Sequence, residues 1–298
     1  MKKKHDPQPP ERGLIKSLFL LFLLFSLDAK ADLWIKNNTV KQGDIIIITG
    51  LYLEFDKNYS FLDKCSINFQ GHNYKFFKDI VNKDQGFQYI TRLATTPLSN
   101  IGKEKILVKC PLGEKIFYVN IQKEDFPIQH IKLSKEKSSL QASEKELTTV
   151  KNILQTKSPY KLWDNSAWIK PSSAYISTNY GLRRTYNGVL AEDYFHKGYD
   201  FAGKAGSAVK APANAKVILV GKEKNGFTIH GNSIFLDHGQ GIITVYLHLS
   251  EVLVLEGQSV KQGDIIGKVG DSGIATGAHL HFGLYVNGLS INPESWFK

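Results

Sequence analysis

Near the C-terminus, GAHLHFGLYVNG (Gly277 to Gly288) sets two histidines two residues apart in a stretch that otherwise reads as a strand. Leu280, Phe282, Leu284 and Val286 fall on one face by the period of two, which leaves His279, His281 and Gly283 on the other. Two imidazoles about 6.5 Å apart along a strand are too separated for one task, so one can bind a metal while its neighbour handles a proton. For this pair alone, a solvated strand face is the competing reading. A second element is HKGYD, with His196 and Asp200; Gly198 and the following FAGKAG point to a loop entering a strand. Imidazole and carboxylate are both ligands for first-row metals. The third is TVYLHLS, where alternation puts Tyr246 and His248 on one face; alone, His248 reads equally as core, edge or catalytic.

Six of the nine histidines lie between His196 and His281, and the region holds no cysteine. Three protein donors plus an open water position make a catalytic zinc pattern, whereas a structural zinc closes four positions, usually with cysteine. The spare histidines fit a proton carrier and a stabiliser of the tetrahedral intermediate. His230 and His238 are assigned to structure, with DHG (Asp237 to Gly239) as a turn. Arg183 and Arg184 read either as contacts to substrate carboxylates or as turn stabilisers. Tyr246 is given no role, and no substrate-binding residue is assigned.

The elements that must position these residues fill the chain from Ser158 on, where AKVILVGKE, FTIHGNSIFLDHG, GIITVYLHLS and DIIGKVG are strand-length runs between Gly, Asn and Asp turns. Before them, residues 134–157 read as a helical linker: Ser143 with Glu146 is a capping box, and Leu147, Val150, Ile153 and Leu154 recur on one helical face. Residues 32–133 alternate in short runs broken by turns, the spacing of a small immunoglobulin-like β-sandwich. His72 and His130 stand isolated there. Cys65 and Cys110 form a disulfide or remain two buried thiols, the disulfide being favoured in an exported chain. VKQGDII occurs at Val40 to Ile46 and again at Val260 to Ile266 with unmatched flanks, a shared turn solution and not a duplication.

Residues 1–31 are set apart as a secretory signal: a basic leader, the 11-residue apolar run SLFLLFLLFSL, and AKA at Ala29 to Ala31 before Asp32. An uncleaved anchor is the alternative, although the run falls short of the roughly 20 residues needed to span a bilayer. The mature chain then carries 32 Lys/Arg against 25 Asp/Glu, a modest excess that fits either an anionic wall polymer or an ordinary solvated surface. An apolar share of 42% excludes a disordered chain.

STNYGLRRTYNG, HKGYDFAGKAGSAVKAPANAKV, GNSIFLDHGQGIITVYLHLS, VKQGDIIGKVGDSGIATGAHLHFGLYVNG and INPESW together resemble the lysostaphin/LytM-type zinc metallopeptidases, family 23 of the metallopeptidases, which cut peptide cross-links in bacterial peptidoglycan. The resemblance covers Ala174 to Trp296, and HxxxD, HLS and HxH fall in the right order. It implies that His196, Asp200 and His281 hold Zn2+, that His279 is the general base toward the attacking water, and that His248 polarises that water or stabilises the intermediate. The expected chain is therefore mainly β: an N-terminal immunoglobulin-like sandwich, a helical linker, and an antiparallel β-sheet peptidase domain over 158–298. The implied partners are peptidoglycan stem peptides, with no nucleic acid and no stable membrane anchor once the signal is cleaved, and the implied location is periplasmic or secreted. A non-catalytic wall-binding protein or hydrolase activator is the alternative function. The β-domain and linker are further expected to regulate the cleft, covering it until wall or a partner displaces them.

Overall fold

The computed structural model describes residues 32–52, 62–79, 87–111, 113–164 and 166–297; the expected signal segment lies outside them. The chain is mainly β. In the N-terminal part, Asp32–Ile35, Ile45–Tyr52, Phe87–Ala94 and Phe77–Asp79 form a four-stranded antiparallel sheet. A five-stranded sheet runs through Thr39–Lys41, Gly113–Gln122, Gly102–Cys110, Ser66–Phe69 and His72–Tyr74. Between them lies a core that includes Ile46, Ile48, Ile67, Tyr89, Leu93 and Ile106. Cys65 and Cys110 are joined as a disulfide.

The C-terminal part is built on a ten-stranded sheet. Its central path runs Ile176–Thr178, Tyr199–Phe201, Leu280–Val286, Ile242–Val252, Asn232–Gly239 and Ala215–Gly221, each antiparallel to its neighbour. The apolar alternation read in the sequence is the pattern that buries it: Leu280, Phe282, Leu284 and Val286 are 0% exposed and join one core with Ile234, Leu236 and Tyr246. The opposite face carries Phe235, Ile243, Val245 and Tyr285, and here the linker docks, Val150, Ile153 and Leu154 of the helix Glu144–Leu154 packing onto them. A shorter helix, Lys135–Ser139, precedes it.

The capping box forms in one half only. Ser143 Oγ accepts from Glu146 N at 3.0 Å, but the Glu146 carboxylate does not fold back on the helix; it crosses to Thr228, Ile229 and His230. The strand Ile128–Ile131, just before the linker, pairs in parallel with Arg183–Tyr186, a second point at which the N-terminal part of the chain meets the C-terminal part. Between the two halves of the chain, Arg92 Nη1 donates to Gln240 Oε1 at 2.9 Å and Asn287 Nδ2 donates to the Arg92 carbonyl at 3.1 Å.

Both copies of VKQGDII make the same turn. Gly43 and Gly263 take φ of +97° and +91°, as position three of a type II turn requires, and Asp44 and Asp264 each accept from the backbone N–H of the lysine three residues earlier, at 3.0 and 2.7 Å. The expected turn at DHG is displaced: Asp237 to Gly239 end the strand Asn232–Gly239 through a register shift, and Gln240 and Gly241 make the turn. His238 is structural, as expected. Its Nδ1 donates to the Asn214 carbonyl at 2.9 Å, its Nε2 accepts from Thr244 Oγ1 at 2.8 Å, and Thr244 in turn contacts the Tyr246 hydroxyl at 2.9 Å.

Burial pushes the His238 imidazole down to about 3. The unfolded chain therefore takes up this proton before the native state does, and the native state loses stability as pH falls from the ordinary histidine range toward 3. Compared with His238→Asn, the wild type is expected to lose about 1.4 kcal/mol more per pH unit between about pH 6 and pH 4, measured by urea unfolding. Parallel slopes would show that the native ring accepts the proton.

Candidate metal centre

The site rests on one register. Tyr199–Phe201 pairs with Leu280–Val286 so that Asp200 stands directly opposite His281, and His196 reaches the same point from the loop before the strand. Gly198 makes that approach possible: a Cβ there would sit 2.0 Å from the Phe282 carbonyl oxygen, a backbone atom that cannot move aside. Gly198→Ala is expected to cost about 1–3 kcal/mol of stability and to weaken metal binding by prising Asp200 from His281. Urea unfolding and a metal titration check both, and an unchanged metal affinity would refute the coupling.

His196 Nε2 lies 2.9 Å from Asp200 Oδ1 and 3.0 Å from His281 Nδ1, and His281 Nδ1 lies 2.9 Å from Asp200 Oδ1. Among the described residues, these three form the only group of metal-type donors whose ligand atoms all fall within 4.8 Å of one another, and all three are buried. His196 Nδ1 donates to the Asn179 carbonyl at 2.7 Å, which fixes the tautomer and leaves the Nε2 lone pair facing inward. Burial lowers His281 to about 4, so its ring is neutral at pH 7. Burial alone would raise Asp200, but the charge and hydrogen bonds of His196 and His281 hold its carboxyl well below the usual range. One carboxylate and a neutral imidazole beside the oriented Nε2 of His196 are a chemically apt donor set, and His196, Asp200 and His281 could hold a metal ion.

Arg183 and Arg184, which the sequence leaves open between substrate contact and turn stabilisation, take different places; Arg184 turns toward the centre. Its Nη2 lies 3.3 Å from Asp200 Oδ2, and its Nε donates to Gln129 Oε1 of the strand Ile128–Ile131 at 3.1 Å. It thus orients the far oxygen of the carboxylate. Arg183 stabilises the turn instead, donating to the carbonyls of Tyr194 and Glu192. His130, isolated in the sequence, contacts Thr185 Oγ1 at 2.8 Å and lines the cleft.

His248 and His279 both reach the centre, though not as alternation implies. Tyr246 points into the core and pairs with Phe282, its hydroxyl held by Thr244, so the expected shared face with His248 is not formed. The register with Asn232–Gly239 slips by one residue between Tyr246 and Leu249, and His248 adopts φ +64°. Such a bulge re-aims a side chain, here bringing the His248 ring centroid to 4.9 Å from that of His279 and 6.3 Å from that of His281. His279 precedes the strand, bridging Gly270, with Nε2 3.8 Å from Asp200 Oδ1. Each ring donates through Nδ1 at 2.8 Å, His248 to the Ser272 carbonyl and His279 to the Gly277 carbonyl, so each turns Nε2 away from that anchor. Burial, with the neighbouring His279 and His281, lowers His248 to about 3. The centre opens into a cavity of about 830 Å³ that is lined also by Gln129 to Leu133 and by Leu147, Val150, Lys151 and Leu154 of the linker helix.

A His/Asp/His cluster, His196 on a loop and Asp200 and His281 on paired strands, with two further imidazoles beside it defines a metallopeptidase-type centre on a β-sheet, and residues 194–293 match the model of Peptidase family M23. This part of the chain is a Peptidase family M23 domain. An uncharacterized metalloprotease of Haemophilus influenzae is 44% identical over 98 residues, 33% of this chain and 20% of its own length. The peptidoglycan DD-endopeptidase ShyC of Vibrio cholerae is 36% identical over 121 residues, 40% of this chain and 27% of its own. The chain thus matches about a quarter or less of these curated relatives. A crystal structure described as peptidase M23 from Pseudomonas aeruginosa aligns over 86% of this chain and 93% of its own, with a TM-score of 0.59 and 25% identity.

Proposed function

We propose that the protein is a zinc-dependent endopeptidase that hydrolyses the peptide cross-links of bacterial peptidoglycan. The observation that carries this reading is the convergence of three buried donors, His196, Asp200 and His281, with two oriented imidazoles that are not part of the donor cluster. When bound there, zinc supplies Lewis acidity, polarising the scissile carbonyl and acidifying the attacking water. His279 takes the water proton at Nε2 and returns it to the leaving amine. His248 does not take a second proton at neutral pH because burial keeps its imidazolium pKa at about 3, so with Nδ1–H committed to Ser272 its Nε2 accepts a hydrogen bond and orients the water. Arg184 holds Asp200 in place.

The charge of the cavity supports a peptide that carries carboxylates. Among the described residues, Asp200 is the only acidic one lining it, against Lys132, Lys151, Arg184 and Lys197. Such a substrate lies outside the cytoplasm, and a periplasmic or secreted location is part of the proposal; among the described residues no helix is long and apolar enough to cross a membrane. The same reading keeps the division into a signal to residue 31, a β-domain over 32–133, a linker over 134–157 and the peptidase domain from 158. Digestion of purified peptidoglycan by residues 32–298, analysed by mass spectrometry, tests the function: cross-linked dimers should disappear and one defined new peptide terminus should form. Zinc-loaded protein that leaves the dimers intact would favour the wall-binding or activator reading.

A further inference from the structure

Glu146 is a carboxylate of the linker helix with 1% of its surface exposed. It accepts from three successive backbone amides, Thr228 at 3.0 Å, Ile229 at 3.2 Å and His230 at 2.9 Å, and from the Thr228 hydroxyl at 3.2 Å; His230 Nδ1 completes the set at 2.6 Å. Consecutive amides aimed at one anion form a nest that is ordered by the charge it holds. Burial would raise the proton affinity of Glu146, but the hydrogen bonds and charge of His230 and the amide of Ile229 bring it down to about 2, so the anion persists at any physiological pH.

The turn at residues 227–231 is also the support of both histidines outside the donor trio. The His230 carbonyl accepts from His248 N at 3.2 Å, and the Ile229 carbonyl accepts from Ile274 N at 3.1 Å. Asn232 N donates to Ser272 Oγ at 2.9 Å, and the carbonyl of that serine holds His248 Nδ1. The same loop runs on to Gly277, whose carbonyl holds His279 Nδ1. The contact is tight, since a Cβ on Gly273 would lie 2.5 Å from the Ile229 carbonyl oxygen. The metal-type donors are fixed by other means: the Asn179 carbonyl, Arg184 and the Asp200 to His281 register.

We propose that Glu146 is a positioning residue: its carboxylate orders the 227–231 turn and, through it, the rings of His248 and His279, so that hydrolysis depends on the docked linker helix while metal binding does not. The inference rests on the peptidase reading. It makes the linker a working part of the catalytic unit in addition to a connection between domains.

The test uses residues 32–298 with Glu146→Gln, which keeps the shape and one acceptor oxygen, and Glu146→Ala. Both are expected to bind one zinc per chain, with kcat on a soluble cross-linked muropeptide falling about 10- to 100-fold in the alanine variant, less in the glutamine variant, and KM within about threefold of wild type. Imidazole NMR of histidine-labelled protein should show the His248 and His279 signals displaced and those of His196 and His281 in place. Wild-type kcat with undisturbed His248 and His279 signals in either folded variant overturns the proposal, as does loss of zinc in step with kcat. Should the alanine variant fail to fold, the glutamine variant decides. If the wild type cuts nothing, the peptidase reading fails, and the NMR comparison still decides whether Glu146 sets the two rings.

Discussion

Replacing His281 or Asp200 with alanine is expected to abolish both metal binding and hydrolysis. The two residues are cross-strand partners whose donor atoms lie 2.9 Å apart, and each substitution leaves two of the three donors. If the donors share a binding free energy on the order of 10 kcal/mol, losing one costs on the order of 3 kcal/mol, more than a hundredfold in affinity. Asp200→Ala carries a second penalty, because it leaves Arg184 beside the site with its carboxylate partner gone. Bound zinc per chain, measured after gel filtration, separates this from simple unfolding when paired with a melting curve. A folded variant of either kind that keeps zinc would remove that residue from the ligand set.

His279→Ala is expected to separate the two functions: zinc stays and hydrolysis is lost. The ring is 18% exposed on its side chain, with Nε2 3.8 Å from Asp200 Oδ1, too far for a direct hydrogen bond and near enough to reach a water between them. A positioned general base contributes about 10²- to 10⁴-fold in rate, so residual activity of roughly 1% or less is expected, with stability little changed because the residue lies outside the strand. Full activity in this variant would transfer the proton step to another group. His248→Ala is the informative companion: it should also retain zinc, but it removes a buried ring anchored to Ser272 and should therefore lower the melting temperature as well.

The candidate donors were legible as local patterns, while the choice of His281 over His279 came from the family resemblance. HxxxD and HxH each fix two residues relative to one backbone, and the strict alternation of Leu280, Phe282, Leu284 and Val286 announces which face is core and therefore which face His281 must take. Their convergence is a matter of register, which a single strand does not encode; only the pairing of Asp200 opposite His281 unites them. Alternation misled at Tyr246 and His248, because a one-residue slip with a positive φ reverses the face and leaves no composition signal at LHL. The spacing of Glu146 to Ser143 reads as a capping box, and a tertiary partner wins instead: three amides and an imidazole outcompete the single N–H of a helix cap. Arg184 shows the same limit, since its sequence neighbours give turn geometry while its role comes from Asp200, sixteen residues on. The matched VKQGDII turns, by contrast, carry a local signal, the positive-φ glycine and the Asp that accepts from the lysine three residues earlier, although each is also tied to a distant segment, Thr95 at Gly43 and Asp44 and Ala211 at Gly263 and Asp264.

The central claim is that hydrolysis of peptidoglycan cross-links runs through one metal held by His196, Asp200 and His281. The most direct measurement strips residues 32–298 with a chelator and returns zinc stepwise while bound metal and released muropeptides are followed together. Activity should be absent in the stripped protein and rise linearly to a break at one zinc per chain, with His281→Ala showing neither binding nor recovery. Undiminished hydrolysis in the stripped protein, or zinc uptake that proceeds equally well in His281→Ala, would contradict it.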